Sequence, residues 1–284
     1  MKIEFLGSGG AITIPRPGCR CRICQEARKL GVPFSRSGPS VFVHGPDVLF
    51  DTPEENKDQL NRSTVERIEA CFYSHWHPDH VMGRRVWETR NADFRHFPPR
   101  NRTTDIYLPE QVAEDFQTWL GLAEHFSFME EKGWVNVIKL SDGNSVEMNG
   151  IEIQPFRLAE DYVYAFLLEG ENQRVLIAPD ELNGWEPPEE VKGLDLAVLP
   201  MGICEVDPLT GERRMPEDHP VLDEEATFRE TLDIVKQLNA KRIIMTHIEE
   251  PAGLSYSDLL KLQERLQQDG WPITFAYDTM TAEI

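Results

Sequence analysis

Apolar and polar positions alternate over residues 2–6 and then stop at Gly7-Ser8-Gly9-Gly10, which predicts a first strand followed by a loop whose backbone can approach a neighbour closely. Similar short apolar runs predict strands over 40–44 and 47–51 around the Gly45-Pro46 turn, then over 70–73 and 106–108. A second series falls at 135–140, 145–148, 151–156, 162–168, 174–178, 194–199 and 242–246. Helical spacing appears over 25–30, 81–89, 109–122 (with Pro at its first turn), 223–238 and 255–268. Strands followed by helices in both halves, with no low-complexity linker, predict one layered α/β domain over 1–284. A polar insert over 90–104 is long enough to form a lid or substrate loop.

The run over 70–73 delivers the densest chemistry in the chain, Ser74-His75-Trp76-His77-Pro78-Asp79-His80. Three of the eight histidines fall within it. In extended backbone the side chains of His75 and His77 point to the same side and can reach one ion. Asp79 and His80, beyond the turn at Pro78, can serve an adjacent position. Three imidazoles and a carboxylate suit a zinc-like or manganese-like ion. Asp180 and His247 are further ligand types at predicted strand ends. Asp51 ends its own strand, either to hydrogen-bond a ligand from behind or to serve as a helix N-terminal acid.

Cys19, Cys21 and Cys24 follow C-x-C-x-x-C spacing in a loop rich in Pro and Gly, whereas Cys71 and Cys204 sit in apolar runs and read as core. The three close thiols are either a zinc staple needing a fourth ligand or reduced cysteines in a loop. The formal charge of −20 opposes an extended nucleic-acid footprint. Positive charge concentrates only after the histidine motif, at Arg84, Arg85, Arg90, Arg95, Arg100 and Arg102. Arg84 and Arg85 are therefore candidates for binding a small anionic substrate, against the alternative of a solvated surface segment. No apolar run reaches the ~18 residues of a membrane span and the opening residues lack a secretory h-region, so a cytoplasmic protein is expected, with no membrane partner.

The pattern H-x-H-x-D-H resembles the signature of the metallo-β-lactamase superfamily. That resemblance implies a four-layer αββα sandwich and two divalent metal ions, Zn or Mn. His75, His77 and Asp180 would hold the first ion, and Asp79, His80 and His247 the second, with Asp180 bridging. The superfamily usually adds a histidine after the strand over 151–156. This chain has Arg157-Leu158-Ala159-Glu160-Asp161 there, so Glu160 or Asp161 would have to substitute or the ion would be weak. The cysteine loop over 18–28 is similar to the zinc loop of phosphoribosyl cyclic phosphodiesterases of phosphonate utilisation. In that group a histidine closes the structural zinc site at the position of Glu250, making Glu250 the candidate fourth ligand here. His219 resembles the group's additional active-site histidine, a candidate to protonate the leaving oxygen, its alternative being a loop residue. The resemblance implies hydrolysis of a small phosphodiester, cyclic ones included, by metal-activated water, with Asp79, Asp180 and His219 as the catalytic set. A lactone, thioester or other ester hydrolase, or a metal- and phosphate-binding protein without turnover, remains the alternative, and a homodimer is compatible with either.

Overall fold

The computed structural model describes residues 1–284. Its strands, in chain order, are β1 (Lys2–Gly7), β2 (Ser40–His44), β3 (Val48–Phe50), β4 (Ala70–Phe72), β5 (Thr104–Pro109), β6 (Val135–Leu140), β7 (Val146–Met148), β8 (Ile151–Arg157), β9 (Tyr164–Glu169), β10 (Arg174–Ile177), β11 (Leu196–Pro200), β12 (Ile243–Thr246), β13 (Ile273–Phe275) and β14 (Thr281–Glu283). They form two seven-stranded sheets, ordered β14-β1-β2-β3-β4-β5-β6 and β13-β12-β11-β10-β9-β8-β7. Each sheet is antiparallel on one side and parallel on the other: β3 to β6 run parallel in the first, β10 to β13 in the second. Parallel strands need covered faces, and the near-continuous apolar runs of β3, β4, β10, β11 and β12 fit that demand.

The sheets face one another across a shared core. Phe50 and Phe72 of the first pack against Phe166 of the second at ring separations of 4.9 and 5.6 Å. The outer face of the first sheet is covered by Trp87, Val112, Phe126 and Met129 from flanking helices. On the far side, the buried stripes of helices Phe228–Leu238 and Tyr256–Gln268 cover the second sheet. Helix, sheet, sheet, helix is the four-layer α/β sandwich. No helix is long and apolar enough to cross a membrane.

Three predicted helices come out differently. The segment predicted over 81–89 starts earlier and is broken into Pro78–Val81, a 3-10 turn Met82–Arg85 and Val86–Asn91. The helix predicted over 109–122 stops at Asp115. Leu120 and Gly121 take positive φ, and a second helix, Leu122–Glu131, follows. Over 223–238 the long helix begins at Phe228, where the hydroxyl of Thr227 caps Glu230 N–H and the Glu230 carboxylate returns to Thr227 N–H. β13 and β14 were not predicted. Each is three residues long, and β14 closes the edge of the first sheet on β1.

Candidate metal centre

The histidine motif stands at the C-terminal end of β4, where the parallel strands of both sheets converge. Pro78 opens the short helix Pro78–Val81, so Asp79 and His80 lie in its first turn while His75 and His77 remain in the extended lead-in. Asp51 follows β3 in a left-handed backbone conformation (φ 61°). Its carboxylate accepts the Ser74 N–H at 2.8 Å and the Ser74 hydroxyl at 2.7 Å, and it meets His80 Nδ1 at 2.8 Å. That contact turns His80 Nε2 toward the cluster. His75 Nδ1 is engaged by the Ser74 hydroxyl at 3.0 Å, which orients the second ring likewise. Asp180 follows β10 and His247 follows β12, His247 also with positive φ (52°). Gly10 lies against the His247 ring, where any Cβ would collide with it.

Two groups of ligand atoms result: His75, His77 and Asp180; and Asp79, His80 and His247. Asp180 lies between them, with Oδ2 at 3.4 Å from His75 Nε2 and 3.5 Å from His80 Nε2, and Oδ1 at 3.3 Å from His247 Nε2. Ligands about 2.0–2.1 Å from a tetrahedral zinc stand roughly 3.3 Å from one another, the spacing found here. The Nε2 atoms of His75, His80 and His247 and Oδ2 of Asp79 are all buried without a hydrogen-bond partner. Such convergence of unpartnered polar atoms is costly unless a cation joins them, so these residues fit divalent metal.

The charges lead to the same conclusion. Burial and the neighbouring His75 push His77 down to about 4. Burial disfavours an imidazolium at His247 too, but the carboxylates of Asp180, Glu249 and Asp79 outweigh it and lift His247 to about 9. His80 is raised in the same way by Asp79 and Asp51 against full burial. Carboxylates arranged to hold protons on two buried imidazoles supply a field that equally holds a metal cation.

A separate cluster joins the cysteine loop to the segment after β12. Glu250 Oε1 lies 3.1 Å from Cys21 Sγ, 3.4 Å from Cys19 Sγ and 3.8 Å from Cys24 Sγ. These four residues form a compact ligand group. Cys21 caps helix Arg22–Leu30, accepting the Cys24 N–H.

Residues 44–248 match the model of the beta-lactamase superfamily domain. The chain belongs to the beta-lactamase superfamily. Within it, this chain is a metal-dependent hydrolase. Ribonuclease Z of Bacillus cereus (strain B4264) is 26% identical, with 92% of this chain and 93% of that protein covered. Ribonuclease Z of Archaeoglobus fulgidus is 23% identical over 100% of this chain and 97% of its own. Among solved structures, a diphosphatase from the PhnP family superposes with a TM-score of 0.69 at 22% identity, covering 100% of this chain and 97% of the other. Zinc-bound PqqB from Methylobacterium extorquens gives 0.67 at 15% identity, with full coverage of both.

Within this superfamily hydrolase, several residues predicted to serve the site lie elsewhere. Arg84 is buried and donates to the Leu120 carbonyl at 3.1 Å, so the expectation that it binds substrate is corrected: its guanidinium fastens the break between two helices. Arg85 is exposed on the 3-10 turn and lines neither cavity that opens on the cluster. Glu160 lies outside both ligand groups, its carbonyl closing a turn with Val163 N–H. It does not stand in for the absent histidine; the ring of Tyr162 occupies that side, 5.6 Å from His77. His219 is in an exposed turn with Nδ1 accepting the Val221 N–H at 3.2 Å, and it lines neither cavity. The insert 90–104 packs on Trp134, whose Nε1 donates to the Pro99 carbonyl, and it too is absent from both cavity walls.

Sequence reasoning missed the acids around the centre. Glu181, Glu225 and Glu249 line both cavities beside Asp180 and His247. Burial and the nearby Asp180 push the carboxyls of both Glu181 and Glu225 up to about 7.

Proposed function

We propose that the chain hydrolyses phosphodiesters at a two-ion centre, with His75, His77 and Asp180 holding one ion and Asp79, His80, His247 and Asp180 the other. The observation that carries this reading is the Asp180 carboxylate, which turns one oxygen toward His75 and the other toward His247. Zinc or manganese bound there supplies Lewis acidity, acidifying water and offsetting charge on phosphoryl oxygens. The chain's own part is positional. Asp51 and Ser74 fix the ring planes of His80 and His75, Asp180 fixes the distance between the two ligand groups, and the buried floor excludes bulk water from beneath them. His219 has no part in this reading. Ligands drawn from both sheets support treating 1–284 as one domain. Cys19, Cys21, Cys24 and Glu250 hold a third, structural zinc.

The test is hydrolysis of bis(p-nitrophenyl) phosphate by metal-replete protein, set against p-nitrophenyl acetate and a lactone. Turnover of the diester, lost in Asp180→Ala, is the expected result; preference for the acyl substrates favours the lactone or thioester alternative.

A second reading has support of its own. The relatives named ribonucleases argue against the expectation that extended nucleic acid is excluded. The insert exposes Phe94 (80%) and Phe97 (97%) among Arg100 and Arg102, an arrangement suited to stacking unpaired bases. Cleavage of a structured RNA, weakened by Phe94→Ala and Phe97→Ala, would support it; no binding to RNA at low salt would remove it.

A further inference from the structure

The turn between β8 and β9 lacks the histidine that the superfamily usually places there, and it is held firmly against the metal ligands. Leu158 N–H donates to the Val163 carbonyl at 2.9 Å and Val163 N–H to the Glu160 carbonyl at 3.1 Å, with both apolar side chains buried. Arg157 donates to the Asp161 carbonyl at 3.0 Å. Tyr164 N–H donates to the Ser74 carbonyl at 3.1 Å, which docks the hairpin on the residue that orients the His75 ring. The place of Tyr162 is therefore set by backbone hydrogen bonds around it, and its hydroxyl is not needed to hold it.

The Tyr162 ring stands 5.6 Å from that of His77 and 6.2 Å from that of His75, and it lines a cavity of about 160 Å³ together with Asp79 and Asp180. Its hydroxyl has no hydrogen-bond partner in the protein, and unlike the ligand nitrogens it is not sealed from solvent. A second cavity, of about 40 Å³, opens on the same cluster. Across both walls there is no lysine, arginine, serine, threonine, asparagine or glutamine, and Tyr162 has the only hydroxyl. The remaining polar lining is mostly carboxylate, which accepts hydrogen bonds and has none to give an anionic oxygen when ionised. A phenol carries its proton at neutral pH. Burial and the charges of Glu160, Asp180 and Glu181 favour that protonated form here.

We propose that Tyr162 is a catalytic residue of this centre, donating its O–H to a non-bridging phosphoryl oxygen of the substrate. The proposal rests on the phosphodiester reading above and adds a side-chain donor that the metal ligands themselves do not provide. A hydrogen bond to an oxygen on which negative charge builds is stronger in the transition state than in the bound ester, so its effect falls on kcat. The phenol keeps its hydrogen throughout. One P–O ester bond breaks, one P–O bond to the oxygen of water forms, and a proton of that water ends on the departing alcohol.

The test is Tyr162→Phe, which keeps the ring against His77 and removes one oxygen. On metal-loaded full-length protein, kcat for bis(p-nitrophenyl) phosphate should fall about 100-fold, with KM within about threefold and bound metal unchanged. The same factor should appear with methyl p-nitrophenyl phosphate and with methyl phenyl phosphate, whose leaving groups differ in basicity. A larger factor for the phenyl ester would make Tyr162 the proton donor to the leaving oxygen and overturn the assignment. Loss of a metal ion in Tyr162→Phe would make it a ligand, with the same consequence. Inorganic phosphate, a dianion at mildly alkaline pH, gives a readout apart from turnover: its calorimetric affinity should weaken about tenfold in Tyr162→Phe. If wild type cleaves none of the esters but phosphate binding weakens in this way, the phosphodiester reading fails and the hydroxyl stands as a phosphate-binding group. Equal kcat in the two proteins, or equal phosphate binding where nothing is cleaved, overturns the proposal.

Discussion

Asp278 accepts both the backbone N–H and the hydroxyl of Ser8 on one carboxylate oxygen, at 2.9 and 2.8 Å, across 270 residues of chain. Its other oxygen takes the N–H and hydroxyl of Ser37 at 3.0 and 2.6 Å and pairs with Arg62. Ser8 in turn offers its carbonyl to the Ile248 N–H at 2.9 Å, next to His247. The buried Asp278 thus secures the glycine loop whose Gly10 packs against the His247 ring. Asp278→Ala should cost about 3–5 kcal/mol in urea denaturation, because it strands buried donors and one arginine. It should also weaken metal binding, and an unchanged metal titration would remove the link to His247.

Asp51 touches His80 from behind and no ligand atom of the cluster. Removing it as Asp51→Ala frees the ring to rotate and change tautomer, and metal affinity should fall about 10–100-fold. Competition with a chromogenic chelator measures this. A loss of activity with metal affinity intact would give Asp51 a different role.

Asp258 joins helix Tyr256–Gln268 to the cysteine loop. It accepts from Ser255 and meets Arg22 at 2.6 Å, and these contacts outweigh burial to hold its carboxyl down at about 2. A folded-state value below the unfolded one near 4 means stability that is present above pH ~4 and lost as pH falls from about 4 to 2. Asp258→Asn should therefore be less stable than wild type by about 2 kcal/mol at neutral pH, an upper bound from the size of the shift. The gap should close in melts run near pH 2.

The cysteine cluster predicts zinc-dependent stability separable from catalysis. Cys21→Ser should reduce bound zinc by one ion per chain and lower the melting temperature, with the two-ion centre still filled. Glu250→Ala should weaken that ion and Glu250→His should keep it, since either a carboxylate oxygen or an imidazole nitrogen serves zinc. Metal analysis after mild chelation reads both.

Arg84 is expected to matter for stability and not for turnover. Arg84→Met gives up the hydrogen bond to the Leu120 carbonyl and should cost about 1–3 kcal/mol, while kcat/KM stays within about twofold. A large rise in KM would restore it to the substrate site.

What the sequence made legible follows the range of the interactions. His75, His77, Asp79 and His80 share one strand end, and Asp180 and His247 each close a clear apolar run, so residue type and position marked them as candidates, resemblance grouped them, and the fold brings them together. The layers were legible for the same reason: strand runs are local. Glu250 came only through resemblance, since nothing near it in sequence marks it as a partner for Cys21. Arg84 was misassigned because a density of arginines says nothing about which way each one faces, and its carbonyl partner at Leu120 depends on a helix break that periodicity did not reveal. Asp278 lies beside two strands too short to show a pattern. Glu181, Glu225 and Glu249 are dispersed in sequence, and only folding makes them one wall.

The pairing of β14 with β1 has a bearing on biogenesis. The histidine motif leaves the ribosome long before His247, Asp278 and the strand that completes its sheet. Early imidazoles and thiols are therefore exposed while their permanent partners do not yet exist, and any divalent ion captured then would be held by fewer donors and would exchange readily. The full ligand groups exist only once β12 has joined its sheet, so the order of ion uptake in a refolding experiment should record how the two sheets close.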